Sequence, residues 1–273
     1  MNPLFPDCTI HHMPQRSPEW VEIRKDKLTA TGMGAWLAEK RECRLTVPDI
    51  KLALDAKGIA YKASAKRDDL LALGEAWPET HLKGTTDARH TAICKILGGM
   101  SKAQCPDPFE VDPDGPPPRN PALWAVWNGL RLEKEAVFAF EEKMWIKDLT
   151  QVGFAVHKSG AAGCSPDGLF PDAPFGFEGK CPLPATHVDY LLKGELPPFY
   201  RDQVHGSMAV TGAQGWWFQS YCPGLPTFRI FTMRDDYTER MASGLWEFAE
   251  CLKSATEEIA SLWDAEFAGR DDV

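Results

Sequence analysis

Two carboxylates and a lysine stand at a spacing that can do chemistry. Asp167 lies in Ser165-Pro166-Asp167-Gly168, after an apolar stretch, and eleven residues later comes Glu178-Gly179-Lys180. Side chains alternate along a strand, so Glu178 and Lys180 share a face. If the two segments pair as neighbouring strands, Asp167 reaches that face too. Carboxylates so close repel each other, and one would hold a proton unless a cation lies between them. An all-oxygen donor set, with no His or Cys required, suits Mg²⁺ or Mn²⁺. Such an ion lowers the pKa of bound water and offsets charge on a phosphoryl group, while a lysine holds the attacking water or stabilises developing charge. Taken alone, the pattern also fits a charged turn with a surface ion pair. Its flanks argue for more: Cys181-Pro182 follows the lysine, and Ser-Pro and Gly-Leu-Phe frame the aspartate.

These residues need elements to hold them. VGFAVHKS, AAGCSPDGLF and FGFEGKCP are β-rich and punctuated by Gly and Pro, and read as neighbouring strands. A long amphipathic helix is expected from Pro121 to about Trp145, a helix from about Pro198 to Gly212, and two strands in GWWFQSYC and TFRIFTMR. A last long helix should run from Asp236 to about Phe267. Near the N-terminus, Ser17-Pro18 suits a helix start, with Trp20, Ile23 and Arg24 on one face. A second short helix should be capped within Thr29–Gly32 and end near Leu37. The pattern predicts an α/β core with a central mixed sheet flanked by helices.

Residues 41–80 differ. Val47, Ile50, Leu52 and Leu54 fit one short helix, Gly58–Tyr61 an extended loop, and Ser64 caps a second helix with Leu70, Leu71 and Leu73. This small all-helical insert resembles SAP-like helix–extended loop–helix modules of DNA-associated proteins. The expected division is 1–40 and 81–273 for the core, with a Pro-rich loop at 101–121 that cannot pack.

Composition narrows the classes. At 273 residues and 44% hydrophobic content the chain can bury a large core. No apolar run approaches the roughly 18 residues a membrane span needs, and the N-terminus lacks a signal-peptide pattern, so a cytoplasmic location is expected. Eight scattered cysteines with no C-x-x-C pair argue against a zinc ribbon, an iron–sulfur cluster or a dense disulfide framework. A net charge of −9 argues against a passive DNA-coating protein more than against a metal-dependent nuclease.

Five ordered blocks carry a family resemblance: EWVEIRKDKLTATGMGAWL, WNGLRLEKEAVFAFEE, GCSPDGLF with GFEGKCP, RDQVHGSMAVTGAQGWWFQSYCP and RDDYTERMASG. Together they resemble the phage lambda exonuclease and YqaJ-like viral recombinase nucleases of the PD-(D/E)xK superfamily. The resemblance implies a restriction-endonuclease-like core. It implies that Glu133 is a further acidic metal ligand beside Asp167, Glu178 and the Gly179 carbonyl. It also implies that Lys180 is catalytic, that Gln203 lines the site, and that Arg24, Thr31 and Ser165 hold a terminal 5′-phosphate. Glu135 is a rival on the same helix, but two residues apart puts it on another face. Trp216-Trp217 and His205 read as packing residues, and His11-His12 as a solvated pair.

The family further implies Mg²⁺, replaceable by Mn²⁺, with two ions per site. It implies 5′→3′ digestion of one strand from double-stranded DNA ends, a homotrimer, a single-strand annealing partner and a phage or prophage origin. The insert's Lys51, Lys57, Lys62, Lys66 and Arg67 suggest accessory DNA contacts, or equally a solvated or protein-docking decoration. A non-catalytic DNA-end-binding scaffold and an endonuclease or single-strand nuclease of the same core stay open as alternatives.

Overall fold

The computed structural model describes residues 2–37, 40–44, 47–56, 58–73, 82–99, 111–112, 114–120, 123–146 and 149–267. In chain order the elements are β1 (Cys8–His11), α1 (Pro18–Arg24), β2 (Leu28–Thr29), a 3₁₀ turn (Ala30–Gly32), α2 (Met33–Leu37), β3 (Lys40–Arg44), α3 (Val47–Ala56), α4 (Arg67–Ala72), β4 (Leu82–Asp87) and α5 (Ala88–Gly99). They continue with α6 (Trp124–Met144), β5 (Phe154–His157), β6 (Ala162–Cys164), β7 (Gly168–Leu169), β8 (Phe175–Lys180), α7 (Pro184–Lys193), α8 (Pro198–Thr211), β9 (Gly215–Ser220), β10 (Phe228–Met233) and α9 (Asp236–Phe267). Two compact units result: Met1–Leu37 with Ala92–Val273, and Ala38–Thr91.

The larger unit is mixed α/β, as the sequence predicts, with its strands in two four-stranded sheets, β1-β5-β6-β2 and β10-β9-β8-β7. Each mixes directions: β2 runs parallel to β6, and β8 runs parallel to β9. The sequence reading misses β1, in which His11 pairs opposite Phe154. It also misses α7, which with α8 makes the crossover that parallel β8 and β9 require. Ser165 to Asp167 carries the chain from the first sheet to the second, between β6 and β7. α8 forms the central layer, buried from Val204 through Thr211 and packed on β5, β6, β9 and α9. It ends at Gly212, whose φ of 77° suits a residue without a Cβ. The core is aromatic and aliphatic: Trp216, Phe218, Val204, Met208, Leu245 and Phe248 are all buried, and Trp36 meets Phe248 edge-on with centroids 5.0 Å apart.

A second apolar cluster fixes α6 to β8. Phe140 lies 4.2 Å from Phe177 between ring centroids, with Leu149 beside them. Polar clasps reinforce it. The fully buried Gln219 donates to the Ala136 carbonyl at 2.7 Å and accepts from Arg229 Nε at 2.7 Å, while Arg229 also donates to the Ala139 carbonyl at 3.0 Å. At Gly176 a Cβ would stand 2.3 Å from the Trp216 ring, so β8 can approach that ring only with glycine there.

The smaller unit holds α3 and α4 around Ile50, Leu54 and Leu70. The expectation of an all-helical insert needs correction, because β3 and β4 form an antiparallel pair within this unit. Their sequences, KRECR and LKGTTD, lack the apolar alternation that marks a half-buried strand, so nothing local announces them. Most of the Pro-rich loop lies outside the described residues; the described parts, 111–112 and 114–120, contain no helix or strand. Cys8, Cys164, Cys181 and Cys222 are buried thiols. Among the described residues no helix is long and apolar enough to cross a membrane.

Candidate active site

A cavity of about 660 Å³ opens beside the junction of α6, β8 and α8, and its walls include Glu133, Asp167, Glu178, Gly179, Lys180 and Gln203. β7 and β8 pair antiparallel, with Gly168 opposite Phe177, so Asp167 comes level with the end of β8. The Gly179 N–H donates to Asp167 Oδ2 at 2.8 Å. Glu178 is only 2% exposed, and its Oε1 accepts from Gln203 Nε2 at 2.6 Å and from the ion-paired Lys180 Nζ. Its other oxygen, Oε2, is buried and has no hydrogen-bond partner. Lys180 also lies over the Tyr200 ring, 5.4 Å from its centroid.

Burial dominates the electrostatics. Burial, then repulsion from Asp167, push the Glu178 carboxyl up to about 7, against Lys180 and Gln203. Burial raises Asp167 above the usual carboxylate range, against the pull of Lys180, the Gly179 N–H and Arg16. Burial and Asp167 together raise Glu133. Burial alone would lower Lys180, but the charges of Glu178 and Asp167 prevail and hold the ammonium above its ordinary value. Three carboxyls with raised pKa values around one lysine mark a site short of positive charge.

That shortage bears on a metal. Among the described residues no three His, Cys, Asp or Glu side chains gather tightly enough to form a finished cage. The residues nonetheless fit a hard cation that keeps much of its water and borrows substrate phosphate oxygens, since such an ion needs only one or two protein carboxylates. The unpartnered Glu178 Oε2 is a buried acceptor awaiting a donor or a cation. Asp167 and Gly179 line the same cavity, and Glu133 faces it from α6. Glu135 points elsewhere, accepting a hydrogen bond from the Tyr221 hydroxyl.

The three residues suggested for a terminal phosphate are only partly united. Arg24 Nη1 donates to Ser165 Oγ at 3.0 Å, and its guanidinium lies 4.0 Å over the Trp20 ring. Trp20 Nε1 reaches the same Ser165 Oγ at 3.0 Å and the Gly153 carbonyl at 2.9 Å. α1 can present both side chains because Ser17 caps it, accepting from the Trp20 N–H at 3.2 Å. Thr31 instead pairs with Thr29, its Oγ1 3.1 Å away. The parallel register of Leu28 with Ala162 and Thr29 with Gly163 carries that segment toward the Ser165 end of β6.

Several lining residues escape the sequence reading: Gln15, Arg16, Phe199 and Tyr200. None has a spacing signal that ties it to the carboxylates. In the insert, Lys51 donates to the Ala63 carbonyl at 2.8 Å, and Lys62 and Lys66 are exposed. Lys57 and the Arg67 side chain lie outside the described residues. His205 is buried and bonded to Thr238 at 2.7 Å, and Trp216 is core.

Comparison with known proteins adds three findings. Residues 19–214 match the family described as the YqaJ-like viral recombinase domain. The crystal structure of LHK-Exo in complex with dAMP superposes with a TM-score of 0.56 at 22% identity, over 92% of this chain and 98% of that one. LHK-Exo from Laribacter hongkongensis, described as an alkaline exonuclease, gives 0.53 at 23% identity, over 90% and 100%. No curated protein matches by sequence.

Proposed function

Because the chain belongs to the YqaJ-like viral recombinase family, we propose that it is a Mg²⁺-dependent exonuclease acting on linear double-stranded DNA. Its coarse character is that of a lambda-exonuclease-like nuclease, a phosphodiester hydrolase. In the finer reading it starts at a 5′-phosphorylated end, digests one strand 5′→3′ and leaves 3′ single-stranded tails for a single-strand annealing protein. It does so as a homotrimer in the bacterial cytoplasm, encoded by a phage or prophage. One observation carries this reading: the acidic cavity with Lys180 lies directly beside the Arg24–Ser165 pair.

Glu178, Asp167, the Gly179 carbonyl and Glu133 would hold Mg²⁺ or Mn²⁺, two ions per site. When bound, the metal supplies a water of lowered pKa and neutralises charge on the phosphoryl oxygens. The chain's own residues do the rest. Gln203 orients Glu178 through Oε1, leaving Oε2 turned away. Lys180, fully protonated, stabilises charge developing on the phosphate. Arg24 and Ser165 offer a guanidinium fork and a hydroxyl to a terminal phosphate.

Incubation of wild type and Lys180→Ala with linear 5′-phosphorylated duplex and closed-circular duplex tests this, with Mg²⁺ or EDTA. Nucleotides should leave only linear DNA and only with metal, and the variant should be slower by about 10²–10⁴-fold. Binding of DNA ends without nucleotide release in Mg²⁺ or Mn²⁺ would replace the enzyme with a scaffold.

A further inference from the structure

Arg16 stands out on backbone grounds. Only Arg16 and Trp145 have positive φ among the described residues other than glycine, at 71° and 55°. Trp145 caps the C-terminus of α6, where the left-handed conformation is routine. Arg16 ends no helix. A side chain in that region is strained and persists only where its surroundings impose it. Here they do, on both sides. Gln15 Nε2 donates to the Val152 and Pro166 carbonyls, each at 3.2 Å, clasping the segment to the turn that leads into Asp167. Ser17 is held as the cap of α1.

The effect is to set an exposed guanidinium in the wall of the acidic cavity. It shares that wall with Glu133 and Asp167, and among the described residues it forms neither an ion pair nor a hydrogen bond with either carboxylate. A cation that lines one cavity with two carboxylates, without closing on them, leaves room for a bridging anion. Arg24 is different: Ser165 and Trp20 already hold it.

We propose that Arg16 is a second phosphate-contacting arginine, gripping the DNA strand on the carboxylate side while Arg24 and Ser165 take the terminal phosphate. This rests on the nuclease reading above. A planar five-donor fork suits a phosphate bridging toward the carboxylates, and a lysine would supply charge without the fork.

The test measures binding of a 5′-phosphorylated linear duplex across a salt series without divalent cation, so that no cutting intervenes. Wild type, Arg16→Gly and Arg16→Lys are compared, with Tm recorded for each. Glycine accepts the positive φ, so Arg16→Gly should keep its Tm. It should lose roughly tenfold in affinity, and its slope of log K against log salt should be shallower by about 0.9, one phosphate contact. Arg16→Lys should recover the slope but only part of the affinity. An unchanged slope in Arg16→Gly overturns the proposal even if wild type releases nucleotides. An Arg16-dependent slope in a wild type that releases none with Mg²⁺ upholds the contact and overturns the nuclease reading instead. A wild type that binds no duplex overturns both.

Discussion

Glu178 concentrates the site's chemistry in one side chain. Its carboxyl titrates at about 7 instead of its usual 4.5, because burial and Asp167 disfavour the charge. The sign of the resulting stability follows. Between those two values the unfolded chain has already released the proton while the folded protein keeps it, so stability falls as pH rises. The metal-free protein should lose up to roughly 3 kcal/mol across that window. Glu178→Gln, which cannot ionise, should show a smaller loss in thermal unfolding, the part that remains coming from the raised Asp167 and Glu133 carboxyls. A cation binding the ionised carboxylate acts in the opposite sense, so Mg²⁺ should raise Tm more at about pH 8 than at about pH 5. Equal Mg²⁺ shifts at both pH values would remove Glu178 from the metal site.

At the scale of elements, the site depends on how α6 is seated. Phe140 against Phe177 supplies apolar contact, while Gln219 and Arg229 fix two α6 carbonyls from the sheet. Ala136 lies three residues after Glu133, so the Gln219 clasp also sets the height of that carboxylate over the cavity. Gln219→Leu keeps the volume but strips partners from the Ala136 carbonyl and Arg229. It should cost about 1–3 kcal/mol in denaturant unfolding and lower turnover as well. Wild-type turnover in a measurably destabilised variant would show that the clasp serves folding alone. The long elements are legible in the amino-acid pattern: α6 and α9 announce themselves through many apolar positions at helical spacing, and β8 through its Gly-punctuated β-rich run. The β3–β4 pair is not, because its strands are polar and lack the alternation that would mark a buried face.

At the scale of the whole molecule, the acidic balance of −9 makes any DNA binding depend on locally placed cations. The insert is one proposed source, through Lys62 and Lys66 with Lys51, Lys57 and Arg67. Replacing residues 45–80, between β3 and β4, with a short linker should leave nucleotide release intact and make the salt dependence of duplex binding shallower, by about 0.9 for each lost contact. If the slope holds, the insert is a decoration or a protein-docking unit. Sedimentation of the full chain tests the proposed homotrimer, which requires three times 30.4 kDa.

The sequence by itself determined the chemistry on offer. Strand alternation alone joins Glu178 to Lys180, and the five ordered blocks propose which residues stand around them. Those signals are local or held in chain order, so they can be read without coordinates. Only the tertiary structure decided which side chains share the cavity. It seated Glu133 there and turned Glu135 to Tyr221, tied Arg24 to Ser165 while Thr31 pairs with Thr29, and brought in Gln15, Arg16 and Tyr200. The physical reason is that burial and repulsion depend on what packs from every side. A carboxyl acquires a raised pKa, and an arginine a left-handed backbone, only when distant segments close around it.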